Sequence, residues 1–276
     1  MHSRGTHEMS AAYSKRTLTT RVNAHHAVAA EKYLWLMSLA GIFVIWETIV
    51  RLEIVPGSKI PAFSATVATL ISSLFDVQFL VRVAQSFLNL TGGILIALAV
   101  ALPLAMFAGL QNRFDTAMTP LIMLGGALPD IALLPVLVLF IGPGNAAAIT
   151  IAAFSAFFPM YFTIREGTKD IPKDLFHVAA VYNTSPFDTF RKLILPAVSP
   201  HLFTGLRLAY DFVWEIVLAI EIFSGVTGVG SYISGAVETG EVTQAFAAIL
   251  AVGVLAIMID RIVFGRAEKW MRRWMD

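Results

Sequence analysis

The sequence predicts an all-α, polytopic membrane protein, and three observations carry that expectation. First, 57% of the 276 residues are hydrophobic and only 14% are charged, against roughly 45–50% and 25% in an ordinary soluble domain. Second, the charges are missing in blocks: no Asp, Glu, Lys or Arg lies between Arg82 and Arg113, between Asp130 and Arg165, or between Glu241 and Asp260. Each block is long enough for a helix crossing a hydrocarbon layer of about 30 Å, which takes about 20 apolar residues. Third, the apolar/polar alternation over segments of about ten residues that marks a membrane barrel is absent. Helices are therefore the expected spanning elements.

Six spans are placed, at about 33–51, 87–109, 117–141, 145–164, 200–223 and 242–264. An even number puts both termini on one side, and the Lys/Arg bias toward the cytoplasm sets which side. With the termini inside, the cytoplasmic segments hold fifteen Lys/Arg residues, against only Arg51, Lys59 and Arg82 outside. The expected arrangement is a polar cytoplasmic tail, 1–30, followed by one transmembrane domain, 31–276. The tail lacks a signal-peptide core and cleavage site, so the first apolar run, from Tyr33, is expected to stay as an anchor. Between the first two spans, Val67, Leu70, Ile71, Leu74 and Phe75 recur at helical spacing within 64–79, which predicts a helix lying along the interface. Pro129 and Pro135 should kink the third span, and Gly142-Pro143-Gly144 should turn it into the fourth. Trp270 and Trp274, among arginines, fit an aromatic and cationic membrane border.

Several function classes fall away at once. The absence of cysteine excludes disulfides, thiolate metal sites and a cysteine nucleophile, and a formal net charge of +1 gives nucleic-acid binding no support. His2, His7, His25 and His26 read as solvated tail residues rather than metal ligands. No G-x-x-x-x-G-K-[ST] phosphate loop is present, so ATP hydrolysis by that mechanism is not expected of this chain. Neither a G-x-S-x-G serine nor an H-E-x-x-H pair supports an intramembrane enzyme.

The informative segment is the cytoplasmic loop 165–199. Pro172 should begin a helix with Lys173 and Asp174 in its first turn. Asn183-Thr184 should interrupt it, and Ser185-Pro186 should restart a short helix with serine as cap, proline at the first helical position and Asp188 near the free amides. Pro196 is expected to end that helix, and Ser199-Pro200 to start the fifth span. Ala179 and Ala180 would let a partner approach closely.

These residues carry a resemblance. The stretch from His177 to Ala209, "HVAAVYNTSPFDTFRKLILPAVSPHLFTGLRLA", resembles the cytoplasmic signature of ABC importer permeases, an EAA triplet, a glycine, and an I-x-L-P tail. Ala179 matches the second alanine, and Leu193, Leu195 and Pro196 match the tail. His177 stands where the family usually has Glu, and Asn183 where it usually has Gly; Asn tolerates the left-handed backbone such a turn needs. "AIEIFSGVTGVGSYI" at 219–233 and "LPDIALLPVLVLFIGPG" at 128–144 are similar to segments of the nitrate/sulfonate/taurine-type branch.

The resemblance implies a type I ABC importer permease of the bacterial inner membrane, in which His177, Ala179, Ala180, Asn183, Ser185, Leu193, Leu195 and Pro196 couple to an ATPase. It implies no cofactor on this chain, ATP and Mg being held by partner subunits. The implied partners are a second permease copy, two ATP-binding subunits, a periplasmic or lipid-anchored substrate-binding protein and membrane lipid, and not nucleic acid. The implied solutes are small compounds such as nitrate, bicarbonate, sulfonates or pyrimidines. Glu221 matches a Glu common in the family before a glycine-rich outer loop, which implies a gating or structural role.

Carboxylates at membrane depth are costly and point to function by default. Asp130, Asp211 and Glu215 are the candidates for the solute path, while Glu47 and Asp260 are expected to be solvated near span ends. Arg207, Asp211 and Glu215 are spaced four apart and form one helical stripe. In that stripe Arg207 can neutralise Asp211, leaving Glu215 and Asp130 without an evident partner. Unpaired carboxylates would favour a neutral or cationic solute over a simple anion. The alternative reading from another class is an ion-coupled secondary transporter or channel that uses the acids of the fifth span.

Overall fold

The computed structural model describes residues 33–34, 37–57 and 59–267, so the tail at 1–30 and the border tryptophans Trp270 and Trp274 lie outside the described residues. It divides into two compact units, residues 1–65 and Thr66–Asp276. In the first unit, residues 37–51 form helix α1. Glu47 there is held rather than solvated: its carboxylate accepts from Arg51 Nε at 2.6 Å and from the Ser64 backbone N–H and hydroxyl at 3.0 and 2.8 Å. Phe43 stacks on Phe63 with ring centroids 4.2 Å apart, and Trp46 Nε1 donates to the Pro61 carbonyl at 2.9 Å.

The interfacial helix expected at 64–79 is shorter, α2 at Phe63–Ser73, and α3 (Val77–Leu110) begins ten residues before the expected span. The reason is local. The Asp76 side chain caps the Gln78 N–H at 2.9 Å, so the helix starts in a polar stretch and runs straight into the apolar one. At 34 residues α3 is about 51 Å long, well over the thickness of a hydrocarbon core.

The second unit is built on α3, α6 (Asn145–Lys169) and α9 (Leu195–Ser224). Their seams are lined by small residues four apart, Ala97, Ala101 and Ala105 on α3 and Ala148, Ala152 and Ala156 on α6, all essentially buried. Without a hydrophobic drive between helices in lipid, close backbone approach supplies the packing energy. A β-carbon placed on Gly93 would come within 2.4 Å of Ala152 Cβ, and one on Gly205 within 2.2 Å of Thr163 Oγ1. Gly93 lies beside Ala152 and Gly109 beside Thr168, so α3 and α6 run parallel; Gly167 lies beside His201 and Gly205 beside Thr163, so α9 runs antiparallel to both.

The expected third span is two helices, α4 (Asn112–Gly126) and α5 (Asp130–Ile141), meeting at 90°. Pro135 stays inside α5, and the break falls at 127–129. Pro129 disfavours helical backbone at Leu128, and Gly125 and Gly126 give the Phe158 ring room to lie against the last turn of α4. The Gly142-Pro143-Gly144 turn falls where the sequence predicts it, with φ of 87° and 137° at the two glycines. After α9 the chain bends by 45° into α10 (Val229–Glu238), then enters α11 (Val242–Ile259), which continues through a π-helical turn, Asp260–Phe264. Among the described residues, three helices are long and apolar enough to cross a membrane, or five spans if each bent pair counts as one.

Candidate functional site

The loop after α6 holds α7 (Lys173–Val181) and α8 (Pro186–Thr189). Asn183 takes the left-handed backbone, φ 49°, at the turn between them. The turn is closed by Thr184, whose N–H and hydroxyl reach the Ala179 carbonyl at 3.1 and 2.9 Å. Ser185 caps α8, accepting from the Asp188 N–H at 3.1 Å, with Pro186 in the first turn. Lys192 lies 2.9 Å from Asp188, and this ammonium, with the Ser185 hydroxyl, holds the Asp188 carboxyl below its ordinary value.

Two expectations for this loop are corrected. Pro196 ends no helix: α8 passes through a π-helical turn, Phe190–Ile194, directly into α9, whose first turn accommodates Pro196. Ser199-Pro200 likewise starts no helix, because α9 is already under way at Leu195 and Pro200 lies inside it. The short helix is therefore a continuous extension of the long one. Across α7, the turn and α8, Val181, Tyr182 and Phe187 are each more than two-thirds exposed, and His177, Ala180, Asn183 and Ser185 are exposed as well. Ala179, Leu193 and Leu195 are half-buried and Pro196 is exposed.

In α9, Arg207 bonds Asp260 rather than Asp211: Nε lies 2.8 Å from one carboxylate oxygen and Nη2 2.9 Å from the other. This ties α9 to the π-helical turn after α11, 53 residues on, and shows that Asp260 is not simply solvated. Asp211 and Glu215 are exposed beside Leu208 and Phe212, and make no hydrogen bond or ion pair among the described residues. Counted back from Ser224, they lie thirteen and nine residues in, about 20 and 14 Å. Asp130, expected to lack a partner, has one: at the start of α5 its carboxylate accepts from the Ser155 hydroxyl of α6.

Glu221, in the last turn of α9, is 0% exposed. Its carboxylate accepts from Ser86 Oγ at 2.7 Å, Asn89 Nδ2 at 3.3 Å and the Gly230 backbone N–H at 3.0 Å. Ser86 Oγ in turn accepts from the Val229 N–H at 2.8 Å. The carboxylate therefore joins α3, α9 and the first turn of α10. Sequence reasoning singled out Glu221 but missed Ser86, Asn89 and Gly230. The available signal was Ser86 and Asn89, polar residues three apart on one face of an uncharged run.

Residues 101–273 match the family of binding-protein-dependent transport system inner membrane components. The chain is 29% identical over 197 residues to the bicarbonate transport system permease protein of Synechococcus elongatus, covering 71% of this chain and 66%, just under two thirds, of that one. It is 26% identical over 249 residues to the putative aliphatic sulfonates transport permease protein of Bacillus subtilis, covering 89% and 90%. It is 29% identical over 182 residues to the nitrate import permease protein of Leptolyngbya laminosa, covering 66% and 65%. In fold it is similar to a chain of the MetNI methionine ABC transporter in an inward-facing conformation, with a TM-score of 0.61 over 70% of this chain and 95% of that one, at 15% identity. With more than half its length matched, the chain belongs to the family of binding-protein-dependent transport system inner membrane components.

Proposed function

We propose that this chain is the membrane-spanning permease subunit of an ATP-driven ABC importer of the bacterial inner membrane. It crosses the membrane six times with both termini in the cytoplasm, and carries no ATPase of its own. A second copy completes the solute path, two ATP-binding subunits dock on the cytoplasmic side with ATP and Mg, and an external binding protein delivers the solute. One observation carries the reading: the exposed helix α7 and its left-handed turn lead into α8, which runs without a break into α9. A partner held by Val181 and Tyr182 at the turn and by Phe187 on α8 would therefore push on α9 through Phe187 as on a rod, and rigid helices transmit such displacements. His177, Ala179, Ala180, Asn183 and Ser185 form the rest of that surface, with Leu193, Leu195 and Pro196 at its root.

The solute is small, and the relatives named above are permeases for bicarbonate, sulfonates and nitrate. The exposed carboxylates of Asp211 and Glu215 argue for a different charge class here. On a lipid-facing surface an ionised residue costs about 3 kcal/mol, so this face of α9 belongs against the second copy or a water-filled path. There the two carboxylates favour a neutral or cationic, hydrogen-bond-donating solute. Identifying the ligand that co-purifies with the cognate binding protein tests this directly; nitrate or a sulfonate would refute it.

The same two acids support a second reading, an ion-coupled transporter or channel. Uptake into vesicles separates the two. The importer needs ATP on the cytoplasmic side and the binding protein on the other, whereas a coupled carrier runs on an ion gradient alone.

A further inference from the structure

The chain turns at Gly225–Gly228 between α9 and α10, a place where a hinge would ordinarily be sought. Its hydrogen bonds argue otherwise. α10 begins at Val229 with no capping side chain from its own preceding residue, and its first free amides are satisfied from other helices: Val229 N–H by Ser86 of α3, and Gly230 N–H by Glu221 of α9. The carboxylate is an acceptor-only group, and the three groups around it, Ser86 O–H, Asn89 N–H and Gly230 N–H, all donate. The α10 N-terminus adds the positive end of its dipole. Both flanking glycines are required for this fit. A β-carbon on Gly228 would fall within 2.2 Å of the Glu221 carboxylate, and one on Gly230 within 2.6 Å of Glu221 Cβ and of the Leu218 carbonyl. Around this centre Arg82 donates to Ser231 at 3.0 Å, the rings of Phe79 and Tyr232 pack edge to face at 5.3 Å, and Tyr232 O–H reaches Gln244 at 3.0 Å.

We propose that Glu221 is the positioning residue of a rigid block made of the N-terminal part of α3, the end of α9 and α10, so that the turn at Gly225–Gly228 is a fixed joint. Resting on the permease reading, the inference goes on to assign the movement that opens and closes this end of the path to the block as a whole, and none of it to the turn. The joint is hard to break, because separating α10 from α3 and α9 would strand the Val229 and Gly230 amides and remove one of the three donors from the buried Glu221 carboxyl.

Two measurements test it. In the first, hydrogen exchange is followed in the purified chain for the parent, Glu221→Ala, Glu221→Gln and Ser86→Ala. The parent should protect the α10 amides as strongly as those of α9. Glu221→Ala should raise exchange at least about tenfold across α10, while α6 and the middle of α3 stay unchanged. Glu221→Gln, which places an NH₂ among donors, should fall between. Equal exchange in parent and Glu221→Ala overturns the proposal, and global loss of protection in Glu221→Ala leaves the milder Ser86→Ala and Glu221→Gln to decide by the same criterion. In the second, Arg82→Cys and Ser231→Cys are combined in a chain that has no native cysteine, and a short bis-maleimide joins α3 to α10. MgATP turnover is then measured in the complex with its ATP-binding subunit and binding protein. A rate at least half that of the unlinked variant supports the block, and a lower rate overturns it. If the unlinked variant shows no turnover with any ATP-binding partner, the permease reading fails and the exchange data alone decide whether the joint is fixed.

Discussion

Replacing Gly93 by alanine puts one methyl group into the tightest part of the α3–α6 seam. The added β-carbon would lie 2.4 Å from Ala152 Cβ, 2.9 Å from the Ala152 carbonyl carbon and 2.9 Å from the Ala153 nitrogen. Carbon atoms rest about 3.5–4.0 Å apart, so the two helices must separate by about 1 Å. Two of the three obstacles are backbone, which no rotamer change can relieve. A gap of that size forfeits a quarter to a half of each dispersion contact along the seam, and overpacking of this kind costs about 1–3 kcal/mol. With backbone as the obstacle the upper end applies, about 3 kcal/mol or roughly a hundredfold in the folded-to-unfolded ratio. Gly235→Ala is the matched control. Its β-carbon meets nothing within 4 Å, and it lies inside α10, where alanine gains about 0.5–1 kcal/mol over glycine. Thermal unfolding of both variants in the same detergent should move the midpoints in opposite directions, Gly93→Ala down and Gly235→Ala level or up. Equal midpoints would refute the claim that backbone approach at α3–α6 holds the unit together.

Three other outcomes are expected. Ala179→Arg, or Phe187→Arg on the more exposed part of the same surface, should lower partner-stimulated ATP hydrolysis by about tenfold or more, equivalent to ~1.4 kcal/mol, with the same thermal midpoint as the parent. Asn183→Gly should be neutral and Asn183→Val destabilising by about 1–2 kcal/mol, because φ at this position is 49° and a β-branched residue resists it; the thermal midpoint is the readout. Glu215→Gln and Asp211→Asn should change solute uptake while leaving assembly with the ATP-binding subunit intact, and normal uptake in both would remove them from the solute path.

What the sequence revealed and what it concealed follow from distance along the chain. The uncharged blocks mark α3, α6 and α11 because a span is defined by its own composition. The left-handed turn at Asn183 and the Ser185-Pro186 cap were legible for the same reason, since each is settled within about four residues. The 90° break before Asp130 was read only as a kink: prolines within α3, α4, α5 and α6 do not end their helices, and the Phe158 ring that lies on Gly125 and Gly126 comes from another helix. The partners of the membrane carboxylates were the least legible. Arg207 and Asp211 share a stripe, yet the guanidinium goes to Asp260 across the fold. Glu221 finds Ser86 and Asn89 over 130 residues away. Periodicity places a side chain on a face but carries no information about which helix lies opposite.

The central claim is that this chain is a permease driven by a separate ATPase through the Lys173–Thr189 segment. The most direct test is MgATP hydrolysis by the purified chain alone, by its cognate ATP-binding subunit alone, and by the two co-purified in detergent or nanodiscs. The account predicts no turnover by the chain alone, a stable complex between the two, and hydrolysis in that complex that Ala179→Arg lowers by about tenfold or more. Turnover by the isolated chain, or an Ala179→Arg complex as active as the parent, would contradict it.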